Sequence, residues 1–217
     1  MSNNNDQLIA RLSRLAKNRE DRVLIADMIS ALDDKYALSK KIAKEPGTEA
    51  IIEQLIKGIT DAFSDLSMLK GKRILDLACG SNTSKMPSFV FVNTPLGERR
   101  VQIPSTEGYT AQFEPWFCRI LLELGAEPVG IDIGDLDGEA FEHYRVDLGL
   151  EGALDFLPSH SFDAVQDRRL FGSPEFVAQF PDSADRLKVA KVIKDQEQRL
   201  LKRTGIIVHS DAKNLFE

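Results

Sequence analysis

Apolar residues in the first seventy positions recur at helical spacing. Leu8, Ile9, Leu12 and Leu15 share one face, and Ile25, Met28, Ile29 and Leu32 share the next, as amphipathic helices require. A third helix follows "EPGT", where Ile51, Ile52, Leu55, Ile56, Ile59, Phe63 and Leu66 repeat every three to four residues and Thr48 stands where an N-cap belongs. From Lys72 the pattern changes to short apolar runs separated by helical stretches, which is how a parallel sheet with crossover helices reads. Strands are predicted at "RILDLAC" (73–79), "EPVGIDI" (127–133), "YRVDL" (144–148), "FDAVQD" (162–167) and "GIIVHS" (205–210). Between the first two, "EPWFCRILLELG" reads as a helix with Pro115 in its first turn, an apolar stripe at Trp116, Phe117, Ile120, Leu121 and Leu124, and Gly125 as its stop. Another long helix is predicted over 182–203. The chain thus divides into a helical N-terminal cap, 1–71, and an α/β domain, 72–217.

Composition narrows this picture without changing it. At 217 residues and 42% hydrophobic the chain is long enough for one sizeable core. Its 28 Lys and Arg stand against 34 Asp and Glu, a formal net charge of -6, and the acidic excess falls after residue 72. No run of basic residues marks a nucleic-acid footprint, so no nucleic-acid partner is expected. Cys79 and Cys118 show no CxxC spacing, and no metal-ligand pattern accompanies them. No secretory h-region and no stretch of about eighteen apolar residues is present. A reduced, cytoplasmic setting with no membrane partner is the expectation.

The candidate chemistry begins at Asp76. A strand covered on both faces should be almost wholly apolar, so an aspartate between Leu75 and Leu77 needs hydrogen-bond partners, which the backbone N–H groups of the turn that follows could supply. The turn that follows, "ACGSN", offers Ala78, Gly80 and Ser81, small residues that let the main chain approach a ligand and present its N–H groups. A plain sheet-to-helix turn would look similar. Asp132, however, ends the second predicted strand, where a carboxylate can accept both hydroxyls of a ribose, and Asp147 ends the third. Open sheets of this type bind ligands at these strand ends.

Taken in order, "ILDLACGSN", "PVGIDIG", "VDLGLEGALDFLPSHSFDAV" and "LLKRTGIIV" resemble the successive motifs of class I S-adenosylmethionine-dependent methyltransferases, over about residues 72–211. The resemblance implies a Rossmann-like open, mostly parallel sheet flanked by helices, with S-adenosylmethionine as cofactor. By that likeness Asp76, Ala78 and Gly80, with Ser81 and Asn82 beyond them, line the methionine end. Asp132 holds the ribose hydroxyls, Ile133 packs on adenine, Asp147 and Leu148 meet the adenine edge, and Gln166 with Asp167 lies under the sulfonium. Two departures stand out. Ala78 and Asn82 occupy the first and third glycine places of the family's GxGxG turn, and Asn tolerates left-handed backbone better than most residues. The chain also ends soon after a fifth strand where the family has seven, leaving an edge to be covered by inserted residues, by the N-terminal helices or by a second copy in a homodimer.

Asp132 lies 52 residues after Gly80, whereas a nucleotide-binding βαβ unit needs roughly 20. The surplus, at about 83–112, contains "SFVFVNTPLGERRVQI", two β-rich runs around Pro and Gly that read as an inserted β-hairpin. It is either a substrate lid, with Arg99, Arg100 and Tyr109 as contacts, or a structural flap. Glu114 precedes a helix N-terminus and could receive the cofactor's amino group, or simply favour the helix dipole. Methyl transfer needs few catalytic groups beyond alignment; Asp167 or His209 could serve as general base, though His209 reads more readily as an ordinary strand-end histidine. No Asx-Pro-Pro-aromatic tetrapeptide follows the fourth strand. A methyltransferase acting on a small molecule is the leading expectation. The alternatives are a non-catalytic S-adenosylmethionine-binding regulatory or interaction module, and an NAD-dependent dehydrogenase, against which the turn lacks GxGxxG.

Overall fold

A computed structural model describes residues 3–45, 47–81, 89–94, 97–102, 111–168 and 170–209. Four helices open the chain: α1 (Asn3–Leu12), α2 (Arg19–Tyr36), α3 (Leu38–Lys44) and α4 (Gly47–Ala62). Asn18 caps α2 by accepting from the Asp21 N–H at 2.7 Å, and Ala37, left-handed at φ 54°, separates α2 from α3. Thr48 does not cap α4 as its position suggested. The helix begins at Gly47, which places Thr48 in the first turn, buried, with no hydrogen bond to its hydroxyl.

The α/β part follows as β1 (Arg73–Leu77), β2 (Phe89–Thr94), β3 (Gly97–Gln102), α5 (Trp116–Glu123), β4 (Glu127–Asp132), β5 (Glu142–Arg145), β6 (Phe162–Gln166), α6 (Pro174–Gln179), α7 (Ser183–Leu200) and β7 (Leu201–His209). Five strands form one all-parallel sheet in the order β5-β4-β1-β6-β7. The direction of winding therefore reverses between β1 and β6. Strands β2 and β3 pair antiparallel as a separate two-stranded sheet, in register from Phe89 opposite Gln102 to Thr94 opposite Gly97, and β2 passes beside α6.

Alternation along β1 assigns the two faces. Ile74 packs with α1, α2, α4 and α5 in one core cluster, whereas Leu75 and Leu77 join Phe171 and Phe176 and, from α7, Ala190 and Ile193 in another. Successive strand side chains point to opposite faces, so Asp76 falls on the α5 side with Ile74. Helices cover both faces, and the first core cluster runs without a break from the N-terminal helices into α5.

Several boundaries differ from the sequence pattern. The third strand of the main sheet lies at 142–145 rather than 144–148, so Asp147 falls two residues beyond it. Pro115 is the N-cap of α5 rather than a first-turn residue. Strand β7 starts directly at the end of α7, and its pairing with β6 is irregular between Phe162 and Ala164. Asp182 caps α7, accepting from the Ala184 N–H at 2.7 Å. Among the described residues no helix is long and apolar enough to cross a membrane.

Candidate functional site

A cavity of about 840 Å³ lies across the carboxyl ends of β5, β4, β1 and β6, within the range of small-molecule sites and over the point where the winding reverses. It is lined by Asp76, Ala78, Gly80, Ser81, Glu114, Asp132, Ile133, Asp147, Leu148 and Gln166. These ten positions, far apart in sequence, are thus brought to one place.

The turn after β1 determines much of the geometry. Ala78 and Gly80 both adopt positive φ, 59° and 95°. A Cβ on Gly80 would come within 2.1 Å of the Phe113 carbonyl oxygen, so only glycine fits there. The amides of the turn are committed inside the protein: Cys79 N–H donates to the Ile131 carbonyl at 3.0 Å, Ser81 N–H to the Phe113 carbonyl at 3.0 Å, and Gly80 N–H to Asp132 Oδ2 at 2.9 Å. Asp132 Oδ1 accepts from Gly134 N–H at 2.7 Å. Burial raises the Asp132 carboxyl above its ordinary range, against the lowering effect of these backbone donors.

The turn was expected to solvate Asp76; it solvates Asp132 instead. Asp76, only 2% exposed, accepts from Gln166 Nε2 at 3.2 Å and from the Cys118 thiol at 3.7 Å. Both partners are weak donors for a carboxylate. Burial pushes its pKa up to about 8; the two donors oppose this, and the charges of Asp132 and Asp167 add to it. Asp76 and Gln166 thereby join β1 to β6 across the reversal point.

Glu114 is buried against Lys41 of α3, with Nζ to Oε2 at 2.5 Å, and against Arg119 of α5. Arg119 also meets Glu139 at 2.6 Å and lies against the rings of Tyr36 and Trp116, 4.1 and 4.8 Å from their centroids. The other oxygen of Glu114, Oε1, is buried without a hydrogen-bond partner on a residue lining the cavity. Such an acceptor is costly to leave unmade and suits an ammonium donor. At the far end Asp147 accepts from Gly149 N–H at 2.9 Å and from Gln179 Nε2 at 3.2 Å. Ile133 is 52% exposed beside it, an apolar surface available to a flat ring.

Asp167 does not line the cavity. It is buried against α7, where Lys194 Nζ lies 2.5 Å from Oδ2. The same lysine binds Glu197 at 2.8 Å, whose pKa burial and the Asp167 charge raise to about 7. The contact described for its carboxylate is thus with α7 rather than with the cleft. His209 pairs with Gln166 in the sheet, but its side chain, like those of Arg99 and Arg100, lies outside the described residues, as do Asn82 and Tyr109 altogether.

Several lining residues carry no sequence motif: Ile51 and Leu55 of α4, Arg145, Arg168 and Glu175. Glu175, whose carboxyl burial raises, had a usable signal. "GSPEF" sets a Ser N-cap and an N1 proline just after a strand, which marks a helix start at the ligand-bearing end of a sheet. Arg145 donates to the Ile133 carbonyl at 3.0 Å. Among the described residues no group of His, Cys, Asp and Glu is arranged to hold a metal ion. Comparison of the chain with models of known protein families, with curated proteins and with solved structures returned no match.

Proposed function

We propose that the protein is an S-adenosylmethionine-dependent methyltransferase with a Rossmann-like fold, acting on a small-molecule acceptor. The observation that carries this reading is the disposition of charge around the glycine turn. The amides of Cys79, Gly80 and Ser81 are already bonded within the protein and are not free to make a nest for a phosphate, while Asp76, Glu114, Asp132, Asp147 and Glu175 all line the cleft. A pyrophosphate would meet carboxylates there, which counts against NAD. A nucleoside bearing an ammonium and a sulfonium meets complementary charge.

In this reading Asp132 accepts the ribose hydroxyls, Ile133 and Leu148 flank the adenine and Asp147 receives its edge. Glu114 Oε1 takes the ammonium, and Asp76 with Gln166 faces the sulfonium. When bound, the cofactor would supply a methyl group activated by its sulfonium, whose carbon would bond in line to an acceptor lone pair as the S–C electron pair returned to sulfur and the acceptor's proton passed to water. The protein's part is alignment and a preorganised acidic surround that needs no rearrangement. The β2–β3 pair beside α6 serves as an inserted hairpin closing the rim.

Calorimetric titration of S-adenosylmethionine, S-adenosylhomocysteine and NAD into wild type and Asp132→Asn tests this. Both sulfur nucleosides should bind wild type and weaken in the variant, with NAD silent; binding of NAD alone would overturn the proposal. The engagement of Asp167 with Lys194 favours a second reading, a regulatory module that binds the nucleoside without catalysis. Transfer of label from methyl-labelled cofactor to any acceptor excludes that reading.

A further inference from the structure

The carboxyl groups of the cavity differ in what holds them. Asp132 accepts from the Gly80 and Gly134 amides, Asp147 from Gly149 N–H and Gln179, and Asp76 from Gln166 and Cys118, while Glu114 is bound by Lys41 and Arg119. Each of these four has a place in the nucleoside reading. Among the described residues Glu175 is the one acidic lining residue that the nucleoside does not use. It stands in the first turn of α6, whose start is fixed by Ser173 accepting from the Phe176 N–H at 3.1 Å. Gln179, four residues on and so on the same helix face, also lines the cavity and binds Asp147, so α6 lies along the cavity from the end of β6 toward Asp147. The segment between β6 and α6 adds Leu170 to the lining and is tied to α4 by a hydrogen bond from Arg168 to Gln54. There α4 contributes Ile51 and Leu55.

Resting on the reading that S-adenosylmethionine occupies the cleft, we propose that the acceptor is a small apolar amine and that Glu175 is the catalytic residue that binds its ammonium and takes its proton. The hydrocarbon body lies on Leu170, Ile51 and Leu55. An N–H proton of the ammonium moves to a carboxylate oxygen of Glu175, which leaves the nitrogen lone pair for the methyl carbon, and Glu175 passes the proton to water as the product departs. An ammonium is repelled by a sulfonium, so the complex of all three favours the neutral amine and needs a group to receive the proton. Burial raises the Glu175 carboxyl above its ordinary range, opposed by its own backbone N–H and by Ser173 and assisted by the charge of Asp132, as suits a general base. Five carboxyl groups and two guanidiniums line the cavity among the described residues, a balance that attracts a cation and deters an anion.

The test uses full-length protein saturated with S-adenosylhomocysteine and titrated with benzylamine, 2-phenylethylamine and octylamine, each beside the alcohol of the same skeleton. At least one amine should bind about tenfold to a hundredfold more tightly than its alcohol. The preference should vanish in Glu175→Gln and persist in part in Glu175→Asp, with S-adenosylhomocysteine affinity unchanged in both. The proposal is overturned if amines and alcohols bind alike or not at all in protein that binds S-adenosylhomocysteine normally, or if Glu175→Gln keeps the preference. It is overturned equally if both variants weaken S-adenosylhomocysteine itself, which would assign the carboxyl to the nucleoside. If wild type fails to bind that nucleoside, the methyltransferase reading itself has failed and takes this proposal with it.

Discussion

Asp76 shares the α5 face of β1 with Ile74, and a group so enclosed keeps its proton far above the ordinary carboxylate range. Its pKa of about 8 in the folded protein compares with 3.8 for a free side chain. Between those values the native state retains a proton that the unfolded chain has released, so the native state binds more protons and stability falls as pH rises. The contribution is intact below about pH 4 and fully lost above about pH 8. Asp76→Asn fixes the neutral form. Urea unfolding of both proteins should therefore show wild type losing ground to the variant by up to about 1.4 kcal/mol per pH unit through that window, and parallel stability curves would refute the assignment. A cation beside Asp76 favours the ionised form, so the affinity ratio of S-adenosylmethionine to S-adenosylhomocysteine should climb toward pH 8 in wild type and stay flat in Asp76→Asn.

Contacts between elements explain how the N-terminal helices reach the site. Lys41 on α3 neutralises Glu114 at the start of α5, while Arg119 is shared between Glu114 and Glu139. Lys41→Met leaves one guanidinium to serve two buried carboxylates. The expected cost is about 1–3 kcal/mol in urea unfolding, with weaker S-adenosylmethionine binding and recovery of both in Lys41→Arg; unchanged stability would show that α3 docks without the pair. None of this was legible in the sequence, because an ion pair between Lys41 and Glu114 has no periodic signature. The helices were legible, since Ile51, Ile52, Leu55, Ile56 and Ile59 follow the helical period and are all buried. Strand β5 was misread for a physical reason. As an edge strand with the sequence EHYR and a largely exposed pattern, it lacks the apolar run that marks a covered strand, and the apolar "VDL" beyond it drew the end of the assignment three residues too far. The glycine turn was legible in position but not in wiring: Asp76 and Asp132 line one cleft, yet the Gly80 amide serves the second carboxylate, in keeping with the register of β1 with β4.

At the scale of the whole molecule, the boundary near residue 71 that composition suggests does not divide the core. Leu8, Leu12, Ile25, Ile29, Leu32, Ile52 and Ile59 lie in one cluster with Trp116, Phe117, Ile120 and Leu121 of α5 and with Ile74 of β1. Removing residues 1–71 would expose that face of α5 and of the sheet, including Trp116, now only 1% exposed. Uncovering each large side chain forfeits about 1.5–3 kcal/mol, so a few of them exceed the roughly 5–15 kcal/mol that a domain has in reserve. Residues 72–217 alone should therefore show non-cooperative thermal unfolding and strong binding of a hydrophobic dye, with no sharp near-ultraviolet signal from Trp116. A cooperative transition in that fragment would mean the sheet and its remaining helices form an independent unit. Co-expression with residues 1–71 distinguishes a missing wall from a general loss of foldability: a wall made of α1 to α4 can be supplied in trans, restoring both cooperativity and the cleft in which Ile51 and Leu55 face Asp76 and Gln166.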